Sequence, residues 1–158
     1  MSQNFYSLMD ELKENPDLGV ILRKKKPSVS EELQWFSNFY KNLDEGNGVA
    51  TVAEAKKSKV VGICQVERIQ PGSYASHRGE LGLVVRKEFR GRGIGTELMK
   101  RTLKKCKGKF DVVQLGVFSN NPVKKLYERM GFRSYGTDPF SVKRDGRYFE
   151  VELMYLKF

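Results

Sequence analysis

The stretch LGLVVRKEFRGRGIGTELMKRTLKK, residues 81–105, passes from an apolar segment through charge and glycine into a helical pattern. Glycines at positions 91, 93 and 95 stand where the predicted strand ends and the predicted helix begins. A helix N-terminus leaves backbone N–H groups unpaired and carries the positive end of the helix dipole, so it suits phosphate. The glycines leave room for close approach, and Arg90 and Arg92 add charged donors. The stretch therefore predicts a cradle for a diphosphate.

Two common phosphate motifs do not match these letters. A P-loop places Lys and then Ser or Thr after its second glycine, and GIGTEL has no such lysine. The dinucleotide fingerprint is G-x-G-x-x-G, whereas GRGIG reads G-x-G-x-G, and the next strand begins at Asp111 in a different pattern. The sequence therefore argues against a nucleoside triphosphatase and against a Rossmann domain.

Hydrophobic periodicity and turn residues divide the chain into helices and strands. The predicted helices cover residues 4–14, 30–43 with Ser30 as the N-cap, 94–107 and 122–130. The predicted strands cover residues 49–55, 59–69, 80–85, 111–118, 132–136 and 148–158, with a loop over 70–79 and a turn at Asp145 and Gly146. Strand, helix and strand alternate over residues 80–118, which predicts that these two strands are parallel.

Three segments resemble the GNAT superfamily of N-acetyltransferases. Arg90 to Gly95 match its acyl-CoA signature, [QR]-x-x-G-x-[GA], between a strand and an amphipathic helix as in that family's motif A. VFSNNPVKKLYERMGF, residues 117–132, is similar to its second conserved region, and RDGRYFEVELMYLKF, residues 144–158, resembles its closing hairpin. The resemblance covers residues 49–158.

The resemblance implies an α/β (α+β) fold. This is the GNAT fold, a central mixed and mostly antiparallel sheet flanked by helices, with a parallel strand pair splayed at the acyl-CoA site. We expect residues 1–158 to form a single N-acetyltransferase domain. Family members often begin with a strand before the first helix; here the chain starts almost directly on a helix, and LGVILRKK, residues 18–25, offers a short replacement.

The resemblance also implies a site for acetyl-CoA as co-substrate. The backbone of Leu83, Val84 and Val85 would pair with the pantetheine arm, and the N–H of Val85 would serve the tetrahedral oxyanion. Tyr127, seven residues after Asn120, would protonate the departing thiolate, and Asn120 would position pantetheine. The implied pyrophosphate cradle comprises Arg90, Gly91, Arg92, Gly93, Ile94, Gly95 and Thr96.

Transfer to an amine requires a base that removes a proton from it, because an alkyl amine with a pKa near ~10.4 is protonated at neutral pH. Glu80 is the candidate, acting through water, since it begins the strand that ends at Val85. Each assignment has a structural alternative. Glu80 can be an exposed strand-end carboxylate, Tyr127 a core aromatic beside Leu126, and Asn120 a helix cap.

The composition of the chain limits which classes of protein and which acceptors are possible. The 158 residues carry a net charge of +10, with 39% hydrophobic and 30% charged residues, two cysteines and one histidine. This predicts a soluble cytoplasmic protein without a metal site or membrane span. The family resemblance implies a monomer or a homodimer. Because a strongly positive protein repels polycationic amines, we expect a neutral, acidic or peptide-like acceptor.

Two other functions stay open at this point. One is a catalytically silent acyl-CoA sensor on the same fold. The other is a basic protein that associates with nucleic acid, since clustered lysines such as Lys104 and Lys105 supply phosphate affinity. We rank nucleic acid second, because aromatic residues are not interleaved with the lysines in a stacking pattern.

Overall fold

The computed structural model describes residues 28–56 and 59–158. The helices are α1 Val29–Asp44, α2 Ile94–Cys106 and α3 Lys124–Arg129, with a 3-10 helix at Lys87–Phe89. The strands are β1 Gly48–Ala55, β2 Lys59–Arg68, β3 Arg78–Val85, β4 Val112–Phe118, β5 Arg133–Arg144 and β6 Arg147–Lys157. The predicted helix at 4–14 and the replacement strand at 18–25 lie outside the described residues.

The six strands form one sheet in the order β1-β2-β3-β4-β6-β5. Neighbouring strands are antiparallel except β3 and β4, which are parallel, so the predicted mixed sheet is confirmed. The parallel ladder joins only Arg78–Glu80 to Val112–Gln114. Beyond it β3 continues with β2 to Val85, and β4 continues with β6 to Phe118. The sheet therefore opens between the carboxyl halves of β3 and β4.

Helices cover the sheet on both sides. α2 buries Leu98, Met99 and Leu103 in a core that includes Val66 of β2 and Met154 of β6. α1 packs through Phe39 against a second cluster containing Val60 and Ile63. Burial of these apolar side chains supplies the main stabilisation of both layers.

Among the boundaries that differ from the sequence-based predictions are the start of α1 and the end of β5. The N-cap of α1 is Ser28, not Ser30, because the carboxylate of Glu31 reaches back to the Ser28 backbone and completes a capping box. β5 runs on to Arg144 instead of ending at residue 136, so the final turn contains only Asp145 and Gly146. Both have positive φ, 46° and 79°, as a two-residue hairpin turn requires.

Two buried thiols make stability sensitive to alkali. Desolvation raises the pKa of Cys64 and of Cys106 to about 12, from an ordinary value of 9.0. Above pH ~9 the unfolded chain therefore loses thiol protons that the folded chain keeps, and the free energy of unfolding falls by up to about 1.4 kcal/mol per pH unit for each thiol. The stability that the two protonated thiols contribute is therefore fully present below pH ~9 and is lost as the pH rises toward 12.

We expect urea unfolding under reducing conditions to show this loss between pH 7.5 and pH 10. Cys106→Ala removes one thiol, so the variant should start less stable but lose less stability over that interval than the unmodified protein. Equal losses in the two proteins would contradict the thiol contribution.

Candidate functional site

A cavity of about 1040 Å³ lies where β3 and β4 separate. Its walls are the carboxyl half of β3, the turn that leads into α2, the end of β4 and the segment that leads into α3. Val142 of β5 and Val151 of β6 close one side. The opening of the sheet therefore creates a cavity that is large enough to take a ligand.

The structure brings most of the predicted site residues to this cavity. Those that line it are Glu80, Leu83, Val84, Val85, Arg90, Gly91, Gly93, Ile94, Gly95, Thr96 and Tyr127. Arg92 and Asn120 are exposed and do not line it. The guanidinium of Arg92 instead lies over the ring of Phe89, 5.4 Å from its centroid.

Asn121 lines the cavity and was not among the predicted residues. Its side-chain oxygen accepts a hydrogen bond from the backbone N–H of Val123 at 3.0 Å, which fixes the turn before α3. The Asn-Pro pair at 121 and 122 is a turn signal and could have identified this residue. Val142 could not have been identified, because it reaches the cavity only through the register of the final hairpin.

Backbone groups of β3 face the cavity without a strand partner. The N–H of Arg86 donates to Val61 on β2, and main-chain groups alternate sides along a strand, so those of Leu83 and Val85 point toward β4. The ladder to β4 has ended by then, at Glu80. The carbonyl of Val85 accepts from Nε of Arg90 at 2.9 Å. The N–H groups of Leu83 and Val85 are therefore placed to pair with an extended ligand.

The glycine turn forms the other wall. Gly91 and Gly93 have φ of 70° and 78°, a left-handed conformation that glycine adopts without strain. Gly93 is the N-cap of α2 and supplies no side-chain cap. A Cβ at either glycine would meet no atom within 4 Å, so neither glycine is needed for packing. The open N-terminus of α2, with the Arg90 guanidinium beside it, fits a diphosphate.

Tyr127 lies at the opposite wall. It is 7% exposed, packs edge-on against Phe132 with 6.1 Å between ring centroids, and lines the cavity. Burial, and to a lesser degree the nearby Cys64, raise the pKa of the Tyr127 phenol above its usual value. The hydroxyl therefore keeps its proton throughout the neutral range.

One carboxylate, that of Glu80, lines the cavity. Glu80 is exposed on β3, directly opposite Glu67 of β2. The carboxylate of Glu67 accepts hydrogen bonds from Asn42 at 3.1 Å and from Gln65 at 3.2 Å. Within residues 28–56 and 59–158, the side chain of Glu80 makes no hydrogen bond or ion pair. The Glu80 carboxylate suits an amine, and the glycine turn at the N-terminus of α2 suits a phosphate.

The described part of the chain contains neither a cluster of metal ligands nor a membrane-spanning helix. No three His, Cys, Asp or Glu side chains there are grouped to hold a metal ion. None of the described helices is both long enough and apolar enough to cross a bilayer.

Comparison with known sequences gives two matches. The model of the acetyltransferase (GNAT) family matches residues 7–132. An L-amino acid N-acetyltransferase from Escherichia coli (strain K12) is 27% identical over 115 residues, which are 71% of this chain and 70% of that protein.

Solved structures of acetyltransferases share the fold. A ribosomal-protein-alanine N-acetyltransferase from Brucella melitensis superposes with a TM-score of 0.83 at 24% identity, covering 98% of this chain and 92% of its own. A phosphinothricin acetyltransferase from Sinorhizobium meliloti, solved in complex with AcCoA, gives a TM-score of 0.82 at 19% identity, with 99% and 84% covered.

Proposed function

The chain belongs to the acetyltransferase (GNAT) family, and we propose that this acyltransferase moves an acetyl group from acetyl-CoA directly to a primary amine. The observation that carries the proposal is one cavity lined by the glycine turn, by the edge of β3 beyond its ladder with β4, and by Tyr127. It offers, in order, a diphosphate cradle, a strand edge and a hydroxyl donor.

We assign the cradle to the turn before α2. Backbone N–H groups of Gly91 to Thr96 and the Arg90 guanidinium bind the pyrophosphate, and Arg92 reaches outward from the same turn. The backbone of Leu83 to Val85 holds the pantetheine arm as an added strand. The N–H of Val85 faces the thioester and stabilises the oxyanion, a role in which one fixed amide donor is typically worth ~3 kcal/mol.

Transfer proceeds in a ternary complex without a covalent enzyme intermediate. Cys64 and Cys106 are fully buried, and burial raises their pKa to about 12, so both stay neutral thiols and make poor nucleophiles. The amine nitrogen attacks the thioester carbon, the carbon–sulfur bond breaks, and CoA leaves as a thiolate.

Tyr127 acts on that thiolate as a hydrogen-bond donor. Full proton transfer from a phenol with a raised pKa to a thiolate of pKa near ~8.5 runs uphill. The hydroxyl therefore stabilises the leaving sulfur mainly by hydrogen bonding, and solvent completes the protonation. Asn120 follows β4 on the surface, where it supports the turn into α3 in this scheme.

For the acceptor, we propose an α-amino group, on an amino acid or at a peptide N-terminus. The similar proteins named above act on L-amino acids and on a ribosomal-protein alanine. The α-amine at a peptide N-terminus has a pKa near ~8, so it loses its proton more readily than an alkyl amine does. Glu80, acting through water, takes that proton.

We also propose that residues 1–158 act as one domain and work in the cytoplasm. The family match ends at residue 132, but β5 and β6 continue the same sheet. Both cysteines are free and buried, as suits a reducing compartment.

Calorimetric titration of the protein with acetyl-CoA, and separately with NAD and ATP, tests the cradle. We expect micromolar binding of acetyl-CoA alone. Release of CoA thiol is then followed with free L-amino acids, an alanine-initiated peptide and an alkyl monoamine. Binding without turnover on the whole panel would contradict the proposed acceptor class, and absence of binding would contradict the site.

Glu80→Gln should lower kcat/KM for the preferred amine about tenfold at pH 7. The loss is limited because water can carry away the proton, and it should shrink near pH 9.5, where the free amine predominates. The control is Glu54→Gln, an exposed glutamate on β1. A loss that is the same at both pH values would contradict a role in proton removal.

A further inference from the structure

An ion pair between the partly exposed Lys124 and the buried Glu152 joins α3 to the sheet. Nζ of Lys124 lies 2.7 Å from Oε2 of Glu152, and Glu152 is only 6% exposed. The hydrogen bond from Lys124 holds the pKa of Glu152 below its ordinary value, and a side-chain hydrogen bond from Ser134 of β5 adds to this effect. Glu152 is therefore ionised at neutral pH and joins three elements, α3, β6 and β5.

Glu152 occupies a position where an apolar residue would be expected. Side chains alternate along β6, so Glu152 shares its face with Met154 and Leu156, which belong to or pack against the main core. Replacing a buried ion pair by apolar residues of similar size is often neutral or stabilising, because desolvation of both charges offsets their attraction. Stability alone therefore does not explain a carboxylate here, whereas a fixed geometry does.

The geometry that the pair fixes is that of a very short helix. α3 has six residues and no side-chain N-cap, so it depends on tertiary contacts for its position. Lys124 precedes Tyr127 by three residues, so the two side chains lie on neighbouring positions of the same turn. Lys124 itself does not line the cavity, whereas Tyr127 does.

We propose that the Lys124–Glu152 pair positions Tyr127 for transfer by tying the first turn of α3 to β6. The inference rests on the proposed role of Tyr127 in the reaction. Lys124 and Glu152 are positioning residues in this scheme and do not touch the substrates. Without the Lys124–Glu152 ion pair, α3 and its C-cap keep the apolar contacts of Leu126 and Met130 with the core, but the helix can shift relative to the sheet. Such a shift of about 1 Å at a reacting group can cost up to a hundredfold in rate.

The apolar double variant Lys124→Met/Glu152→Leu tests whether the ion pair acts on the position of Tyr127 or on the stability of the protein. We expect urea unfolding to show equal or greater stability, and the dissociation constant for acetyl-CoA to stay within about twofold. With the best amine of the panel above, kcat should fall about tenfold while KM for the amine changes little. Lys124→Arg keeps a cation opposite Glu152 and should recover most of the turnover.

Glu128→Gln is the matched control. Glu128 is an exposed partner of the same lysine, 3.9 Å from its Nζ, so its loss leaves the tie to β6 intact. The kcat of this variant should equal that of the unmodified protein. Loss of turnover in Glu128→Gln as large as in the double variant would overturn the inference, since charge around Lys124 would then matter more than the link to the sheet.

The same double variant in a Tyr127→Phe background decides whether the pair acts through Tyr127. We expect the two effects on kcat to be non-additive, with little further loss beyond Tyr127→Phe. Additive losses, or unmodified turnover in the double variant alone, would overturn the positioning role and leave the proposed function standing. Unmodified turnover in Tyr127→Phe would instead remove Tyr127 from the proposed mechanism and the inference with it.

Discussion

Gly93→Asp should weaken acetyl-CoA binding at least about a hundredfold, equivalent to ~2.7 kcal/mol, and leave the chain folded. A Cβ at Gly93 meets no protein atom within 4 Å, so the side chain does not disturb packing. It does project into the space beside the first turn of α2, where it takes the place of the diphosphate. Its carboxylate also occupies the helix N-terminus and repels a second anion. Titration calorimetry with acetyl-CoA measures the effect.

Gly108→Asp is a closely matched control. Gly108 follows α2, has the same φ of 78° and the same open surroundings, and does not line the cavity. Aspartate there imposes the same backbone strain and the same change in net charge. Both variants should remain folded, with Gly108→Asp losing more stability in urea unfolding because its carboxylate lies at the negative end of the α2 dipole, and only Gly93→Asp should lose binding. Equal affinity in the two folded variants would remove the glycine turn from the acetyl-CoA site.

Tyr127→Phe should lower kcat by up to about a hundredfold, because a hydrogen bond to a charged group such as the leaving thiolate is worth roughly 1.5–3 kcal/mol. Phenylalanine keeps the packing against Phe132, so stability and acetyl-CoA affinity should change little. The raised pKa of Tyr127 adds a further expectation. Because the phenol remains protonated, kcat of the unmodified protein should show no loss from its ionisation up to about pH 10.

Steady-state rates at saturating acetyl-CoA, measured from pH 7 to pH 10, test the loss of kcat in Tyr127→Phe and the absence of a loss from ionisation of Tyr127 in the unmodified protein. Tyr135→Phe is the control, because Tyr135 is 51% exposed on β5 and does not line the cavity. If Tyr127→Phe turned over at the unmodified rate, Tyr127 would be a core aromatic and no more.

Several parts of the site were predictable because their signals are local. The strand before the glycines, the turn and α2 follow from apolar periodicity and from glycine between two elements. The Asn-Pro pair and the apolar stripe with Leu126 likewise predict a helix that begins near residue 122. Each of these signals lies within a few residues of the element it specifies.

Other parts depend on pairing between distant segments. Glu67 and Glu80 face each other through the β2–β3 register, and Val142 reaches the cavity through an irregularity between Asp138 and Val142 in the β5–β6 ladder. A shift of register by one residue would move each of these side chains to the other face. No local sequence pattern predicts the register in which two distant strands pair.

By itself, the sequence determined the glycine turn, the helix that follows it and a tyrosine in the helix after β4, because short-range sterics and hydrophobic periodicity specify such elements. Only the tertiary structure decided that the parallel ladder stops at Glu80, that Asn121 rather than Asn120 faces the opening, and that Lys124 meets Glu152. These contacts join residues far apart in the chain, and their geometry exists only once the whole sheet has paired and its core has packed.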